Sequence, residues 1–351
     1  MDILDKMAQR GGEPSGARQS KRTDYQLHYA MYLYLDEYLK DENSDFRVIL
    51  DFDDDISLIK NNKVSFYQVK TSDILATLSD ILLSGTHSDY LVNLYKHIQE
   101  LDAKDIEQLY LVSNVKFSVS GKLLKEVALK DFSEKPRTAI LDKIKERFKV
   151  PDIDTSFLAI TSCITSDLPL DSFTTHIKGK VQDVIDAKAK DSKYGQGSLY
   201  DCLKTYFDKQ NNFDDFSKVK NGKTLSNFKG IDTDFLQRII RAMKSKAYEN
   251  IDANYKKMLE DSGTLIPSQI RQAAISFANV QRRFLIKDDE TLRLYKRAQT
   301  IMESHKKVVS NKFEFLEQIR TSTKLFSSKD VYETRAIIFV AYEVYSKGDI
   351  I

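Results

Sequence analysis

The chain has 351 residues, of which 41% are hydrophobic and 30% are charged, and its formal net charge is only +2. This length accommodates one large domain or two ordinary domains, and the hydrophobic fraction is sufficient for a packed core. A net charge so close to zero excludes a strongly basic protein, so any contact with nucleic acid has to come from local patches of Lys and Arg.

The composition of the chain also bears on its location. No hydrophobic stretch approaches the length of a transmembrane helix, and the N-terminus lacks the apolar segment of a secretory signal. The two cysteines, Cys163 and Cys202, have no CxxC spacing and favour neither a zinc site nor a disulfide framework. We therefore expect a cytoplasmic protein without membrane contact.

The first elements are predicted in the following order. Gly, Pro, Ser and basic residues dominate residues 1–22, which predicts a disordered arm. Residues 23–40 carry apolar side chains at helical spacing, and residues 46–50 form an apolar run typical of a strand. After an acidic turn, two mostly apolar runs at residues 56–59 and 64–69 flank Asn61-Asn62, which predicts a β-hairpin.

Three polar residues stand at one end of this hairpin. Asp55 precedes its first strand, and Gln68 and Lys70 lie at the end of its second strand. Side chains alternate along a strand, so Gln68 and Lys70 point to the same face. An acid at the start of the first strand can lie beside the end of its antiparallel neighbour. We therefore expect the carboxylate, the amide oxygen and the ammonium to converge.

These residue types suit the hydrolysis of a phosphodiester. The reaction requires neutralisation of the phosphate charge and activation of a water molecule. Mg²⁺, or Mn²⁺ in its place, prefers hard oxygen ligands, which Asp55, Gln68 and the carbonyl of Val69 would supply. Lys70 would orient or deprotonate the water and stabilise the developing negative charge. Because Gln68 is neutral, we expect weak metal binding that depends on substrate phosphates. The alternative is a solvated acidic turn followed by a chance QVK triplet.

The pattern resembles the PD-(D/E)xK restriction-endonuclease-like superfamily, in the Mrr-like variant whose middle acid is Gln. The segment YQLHYAMYLYLDEYL and the box QVKT resemble a narrower family, the double-stranded DNA endonuclease domain of CBASS anti-phage effectors (the Cap-four type). The same domain occurs in defence nucleases that act with HerA-type hexameric ATPases. The resemblance covers roughly the first half of the chain and implies that Asp55, Gln68 and Lys70 are catalytic. It also implies that Asp51 is an extra metal ligand and that Gln26 and Asp54 are secondary candidates.

The remainder of the first half alternates between helices and strands. Residues 108–115 and 155–165 are apolar or β-branched and predict strands, with helical segments between them. Together with the hairpin, this pattern predicts an α/β domain at residues 23–170 in which helices flank a central sheet. The resemblance implies that this domain is restriction-endonuclease-like, with a mixed sheet. The five histidines are scattered, and we expect each to be a surface or packing residue; they are His28, His87, His97, His176 and His305.

From residue 171 to residue 351 the pattern is helical and predicts an all-α domain for oligomerisation or partner binding. Two basic clusters on its helices could follow a DNA backbone, namely Arg238, Arg241 and Lys244, and Arg282 and Arg283. The alternative for each cluster is a solvated helix face.

Three functions are compatible with these observations. The first is a metal-dependent double-stranded DNA endonuclease of a bacterial anti-phage system that works as a homo-oligomer with a HerA-type ATPase. No phosphate loop of the GxxxxGK[ST] type is present, so a partner would supply the energy for translocation. The second is a CBASS effector nuclease activated by a cyclic oligonucleotide, which the helical second half disfavours. The third is a catalytically inactive nuclease fold that serves as a scaffold.

Overall fold

The computed structural model describes residues 2–10, 20–71, 88–119, 122–190, 196–244, 246–285, 289–304, 311–322 and 330–347. The chain folds into two compact units. The first comprises Met1–Val184 and Leu203–Asp234, and the second comprises Ile185–Cys202 and Phe235–Ile351. None of the described helices is long and apolar enough to cross a membrane.

The described strands lie in the first unit. They are β1 (Phe46–Leu50), β2 (Ile56–Lys60), β3 (Lys63–Lys70), β4 (Ile106–Ser113), β5 (Phe117–Val119), β6 (Lys122–Leu124), β7 (Glu126–Ala128), β8 (Thr161–Thr165) and β9 (Gly230–Asp232). Seven of them form one sheet in the order β7-β8-β4-β3-β2-β1-β9, and β5 pairs with β6. The pairs β3–β4 and β4–β8 are parallel and the others are antiparallel, so the sheet is mixed.

The helices up to residue 229 are α1 (Ile3–Arg10), α2 (Ser20–Lys40), α3 (Ser88–Glu100), α4 (Glu134–Phe148), α5 (Ser156–Ile160), α6 (Phe173–Lys188), α7 (Gln196–Asn211) and α8 (Gly222–Lys229). The later helices are α9 (Thr233–Lys244), α10 (Lys246–Asp261), α11 (Pro267–Leu285), α12 (Asp289–Ser304), α13 (Lys312–Ser322) and α14 (Val331–Lys347).

The predicted hairpin is confirmed as β2–β3. Lys60 pairs with Lys63, which leaves Asn61 and Asn62 as a two-residue turn with φ angles of 52° and 58°. Asparagine tolerates this left-handed conformation better than most residues, and tight hairpins of this kind require it at both positions. β3 is buried along most of its length because it pairs with strands on both sides.

The disordered arm predicted for residues 1–22 is corrected in part. Residues 3–10 form α1, whose Ile3, Leu4 and Met7 are buried in the core of the first unit. Composition averages over the whole segment and misses this short amphipathic helix, which tertiary packing stabilises. The prediction for residues 11–19 lies outside the described residues, as do those for His87 and His305.

The predicted domain boundary at residue 170 is also corrected. β9, at residues 230–232, pairs with β1 at the edge of the large sheet. The first unit therefore includes the later segment Leu203–Asp234, beyond the predicted boundary. A three-residue strand has too little pattern to be predicted from sequence. At its first residue, Gly230, an added Cβ would lie 2.5 Å from the carbonyl oxygen of Ser226, so the turn into the strand requires glycine.

The strand predicted at residues 155–165 begins later than expected. Its first half is the short helix α5, and only Thr161–Thr165 forms a strand, β8. β-branched and apolar residues occur in buried helices as well as in strands, so pattern alone does not separate the two.

The second unit is helical, as predicted. Its core is formed by apolar side chains of α10 to α14, in which Tyr255 stacks on Phe277 and meets Phe339 edge-on. The predicted fold class, an α/β domain followed by a helical one, is confirmed.

Candidate active site

The hairpin register places the predicted catalytic residues level with one another. Ile56 pairs with Tyr67 across β2 and β3. Asp55 directly precedes Ile56 and Gln68 directly follows Tyr67, so both lie at the same end of the hairpin. Lys70 is two residues beyond Gln68 and shares its face of the strand. All three line one cavity of about 410 Å³.

Asp55 is held by the end of β3. Its Oδ2 accepts a hydrogen bond of 2.7 Å from the backbone amide of Val69 and lies 3.5 Å from Nζ of Lys70. Burial raises the pKa of Asp55 to about 6, against the opposing effects of Lys70 and of the Val69 amide. The carboxylate therefore gains from any additional positive charge in the cavity.

Gln68 lines the same cavity and carries a buried acceptor oxygen. Its Oε1 is inaccessible to solvent and has no hydrogen-bond partner among the described residues. A buried oxygen without a hydrogen-bond partner destabilises the folded protein unless a ligand supplies the missing partner. This oxygen suits a hard cation or a bound water.

The backbone carbonyl of Val69 already has one partner. Nε2 of Gln26, on α2, donates a hydrogen bond of 3.2 Å to this oxygen. A carbonyl oxygen has a second lone pair, so its predicted role as a metal ligand stays open. The contact places Gln26 against the backbone of the site.

Lys70 has an aromatic neighbour as well as an acidic one. Its Nζ lies 4.5 Å from the centre of the Tyr90 ring on α3, at a distance typical of a cation–π contact. Asp55 and Tyr90 together hold the ammonium at the cavity.

The acidic turn between β1 and β2 closes on itself. The amide of Asp51 donates a hydrogen bond of 3.2 Å to the carbonyl of Asp55, and Asp51 has a φ of 45°. Aspartate is one of the few side chains that tolerate this conformation. The turn carries Asp51, a predicted metal ligand, to the same cavity as Asp55.

Asp54, a secondary candidate ligand, makes contacts that stabilise the turn. Its Oδ1 accepts a hydrogen bond of 3.1 Å from the amide of Asp55, and its Oδ2 lies 3.1 Å from Nε2 of His97. Both carboxylate oxygens therefore have protein partners. Its neighbour Asp53 lies 3.3 Å from a guanidinium nitrogen of Arg10, and burial raises the pKa of Asp53 to about 7 despite this cation.

Sequence reasoning missed several residues at the site. Arg10 belongs to the segment predicted to be disordered, and His97 was expected to be a surface or packing residue. Lys96 and Arg147 line the cavity together with Lys70, but neither residue belongs to a recognisable sequence motif. Both residues are distant from the hairpin in sequence, and no local pattern connects them to it, because α3 and α4 reach the site only through tertiary packing.

The predicted DNA-binding residues all lie in the second unit. Arg282 is 3.4 Å from Asp201, and Arg283 forms an ion pair with Glu333. Arg241 and Lys244 on α9 are exposed, whereas Arg238 is half-buried and lies 6.0 Å from the Phe235 ring. The pairing of Arg282 and Arg283 with acids reduces the charge that they offer to DNA. Their role stays a prediction.

The donor set fits a weakly bound hard cation. Within the described ranges, no three His, Cys, Asp or Glu side chains form a metal-binding cluster. Asp55 and Gln68 nevertheless bring a carboxylate and an unsatisfied amide oxygen to one cavity, and both are ligands that Mg²⁺ accepts. Such a site leaves several coordination positions for water and substrate phosphate.

A family model described as "Cap4, dsDNA endonuclease domain" matches residues 14–211, which is more than half of the chain. The matched segment contains Asp55, Gln68 and Lys70 but not α1. Neither a curated protein nor a solved structure gives a significant match.

Proposed function

Because the chain belongs to the family of Cap4 double-stranded DNA endonuclease domains, we propose that it hydrolyses DNA with Mg²⁺ or Mn²⁺ held by Asp55 and Gln68. Asp51 and the carbonyl of Val69 would complete the protein ligands. A divalent cation in this position would neutralise phosphate charge and lower the pKa of a bound water.

The observation that carries the proposal is the meeting of Asp55, Gln68 and Lys70 in one cavity. The side chain of Lys70, 3.5 Å from Asp55, can donate hydrogen bonds to the attacking water or to a phosphate oxygen. The bond from the Val69 amide holds the Asp55 carboxylate at the end of the hairpin. Both groups are thus positioned before the substrate binds.

Two further cations support a phosphate-binding role for the cavity. Lys96 on α3 and Arg147 at the end of α4 line it together with Lys70. For Lys96, no ion pair is found within the part of the chain that the structure describes. We propose that these two side chains bind phosphates of the DNA strand next to the scissile one, which would offset the four acids of the turn.

Cleavage by a Lys70→Ala variant tests the proposed function. We expect a loss of at least about a hundredfold in the rate of cleavage of linear double-stranded DNA with Mg²⁺. Lys63→Ala is a matched control, because Lys63 lies on the same strand but pairs with Glu107 at its other end. A Lys70→Ala protein that cuts as fast as this control, with the same thermal stability, would refute the assignment.

We further propose that the enzyme acts in anti-phage defence, as a homo-oligomer with a HerA-type ATPase. Support comes from the second half of the chain, which extends beyond the matched segment and is helical throughout its described part after β9. A net charge of +2 favours a DNA-binding surface shared among several subunits. A cyclic-oligonucleotide sensor is the alternative role for this half.

Sedimentation and cleavage measurements separate these possibilities. We expect the purified chain to self-associate at micromolar concentration and to cut faster when a HerA-type ATPase and ATP are added. A monomer that is fully active on DNA alone would contradict both expectations. Activation by a cyclic oligonucleotide without the ATPase would favour the sensor.

A further inference from the structure

The N-terminal helix α1 packs on the first unit and ends beside the acidic turn. Besides its buried apolar face, it is held by a hydrogen bond of 2.7 Å from the amide of Gly222 to Asp5, and by an ion pair between Lys6 and Asp105. Its last residue, Arg10, is largely buried, with a side chain that is 10% exposed. α1 precedes the matched segment, so the family model does not account for it.

We propose that Arg10 is a positioning residue for the metal-binding turn, which it holds in place through His97 and Asp54. The inference rests on the proposed metal site at Asp55 and Gln68. It adds a part of the chain that neither the motif nor the family match includes.

Three contacts connect Arg10 to Asp55. A guanidinium nitrogen of Arg10 lies 3.2 Å from Nδ1 of His97, and Nε2 of His97 lies 3.1 Å from Oδ2 of Asp54. The other oxygen of Asp54 accepts the hydrogen bond from the amide of Asp55. The series therefore runs from α1 to the backbone of the proposed metal ligand.

The chemistry of the donors determines the tautomer of His97. A guanidinium can only donate hydrogen bonds, so Nδ1 of His97 must accept. Nε2 then carries the proton and donates it to Asp54. Both partners therefore specify the same tautomer, and without Arg10 the Nδ1 atom of His97 loses its hydrogen-bond donor.

His97 has little freedom to move. It is fully buried and stacks on the Phe66 ring at 3.6 Å with an angle of 9° between the planes. Phe66 lies two residues before Gln68 on β3, so its ring is on the same face of the strand as Gln68 and Lys70. Because the His97 ring is rigid and tightly packed, it fixes the distance between Arg10 and Asp54.

Arg10 also contacts the turn directly. A second guanidinium nitrogen of Arg10 lies 3.3 Å from Asp53. Arg10 also forms an ion pair with Glu100 at the end of α3. The planar guanidinium reaches His97, Asp53 and Glu100 at once, which a lysine cannot do. The acid turn and α3 are therefore joined by one side chain.

The experiment compares Arg10→Ala and Arg10→Lys with Lys6→Ala. Lys6 anchors the same helix through Asp105 but makes no described contact with the turn, so Lys6→Ala controls for loosening of α1. Mn²⁺ affinity is measured by calorimetry without DNA, cleavage kinetics give kcat and KM, and nitrogen NMR reports the Nδ1 and Nε2 resonances of His97 in metal-free protein.

We expect Arg10→Ala to weaken Mn²⁺ binding by about tenfold, because outer partners of metal ligands typically contribute 10–100-fold in affinity. We also expect a lower kcat, a KM for DNA within about twofold of wild type, and a changed Nδ1 resonance of His97, because this atom has lost its donor. Arg10→Lys should behave like Arg10→Ala, and Lys6→Ala like wild type.

Two results would overturn this inference without affecting the proposed function. The first is wild-type Mn²⁺ affinity and an unchanged Nδ1 resonance of His97 in both Arg10 variants. The second is an equal loss in Lys6→Ala, which would mean that α1 only supports the fold. If Arg10→Ala does not fold, Arg10→Lys decides the question. If the wild-type protein neither binds Mn²⁺ nor cuts DNA, the proposed function itself fails and the inference with it.

Discussion

The backbone amide of Val69 donates a hydrogen bond of 2.7 Å to Oδ2 of Asp55 and so joins the end of β3 to the start of β2. Val69 lies between Gln68 and Lys70 in the chain. This one bond therefore places the carboxylate beside both predicted partners. Because the position of the acid depends on backbone geometry, side chains of the site can be replaced without altering the hairpin.

Among the acids of the turn, Asp55 should matter most for catalysis. We expect Asp55→Asn to reduce cleavage by at least about a hundredfold, because it removes the charged ligand while keeping the bond from Val69. Asp51→Asn should reduce cleavage less. Initial rates on linear DNA at saturating Mg²⁺ provide the measurement. If Asp55→Asn were fully active and Asp51→Asn inactive, the metal site would have to be assigned to the other end of the turn.

The role of Asp54 in holding the turn should be separable from direct ligation of the metal. Asp54 holds the Asp55 amide and His97, so we expect Asp54→Ala to lower thermal stability and activity together. Asp54→Asn keeps one acceptor oxygen and should lose less. Thermal unfolding and cleavage rates are measured on the same samples. Loss of activity in Asp54→Ala without any loss of stability would instead indicate a direct ligand.

The pKa of Asp55, raised to about 6, predicts a pH dependence with a definite sign. In metal-free protein the folded state retains the proton better than the unfolded chain. This contribution to stability is complete below about pH 4 and is lost as the pH rises through about 6.

Asp55→Asn has no such proton, so the stability of wild type relative to the variant should fall as the pH rises over this range. Asp53, with its pKa near 7, contributes in the same direction in both proteins and cancels. Because Mn²⁺ and the proton compete for Asp55, Mn²⁺ should raise the melting temperature more at pH 8 than at pH 5. Equal shifts at both pH values would contradict this assignment.

Gln68→Glu should strengthen metal binding in the absence of DNA. The neutral oxygen becomes a second carboxylate beside Asp55, and a hard cation gains from the added negative charge. We expect about a tenfold gain in Mg²⁺ affinity by calorimetry, which corresponds to roughly 1.4 kcal/mol. Gln68→Met, which is similar in size but has no oxygen, is the control and should weaken binding. Unchanged binding in both variants would place Gln68 outside the metal's ligands.

Lys96→Ala should impair binding of DNA more than the chemical step. We expect a severalfold rise in KM, a kcat close to wild type, and a shallower salt dependence by about one phosphate contact. Lys104→Ala is the matched control, because Lys104 is exposed on the same unit and pairs with Asp102. A salt dependence unchanged from this control would exclude Lys96 from the DNA path.

Local sequence determined the β2–β3 hairpin. Two apolar runs around Asn61-Asn62 set the register of β2 and β3, and the period of two along a strand brought Gln68 and Lys70 to one face. These relationships span fewer than twenty residues, so short-range rules were sufficient for them. The α/β character of the first half and the helices of the second half followed from periodicity in the same way.

Tertiary structure alone decided what surrounds the hairpin. The contacts of His97 with Arg10 and with Asp54 span 87 and 43 residues, and β9 joins β1 across more than 180 residues. α1 is too short to be stable by itself, and its buried face and the contacts of Asp5, Lys6 and Arg10 hold it against the first unit. Patterns in sequence report the faces of single elements, whereas the pairing of a buried Arg, His and Asp arises only when separate elements pack together.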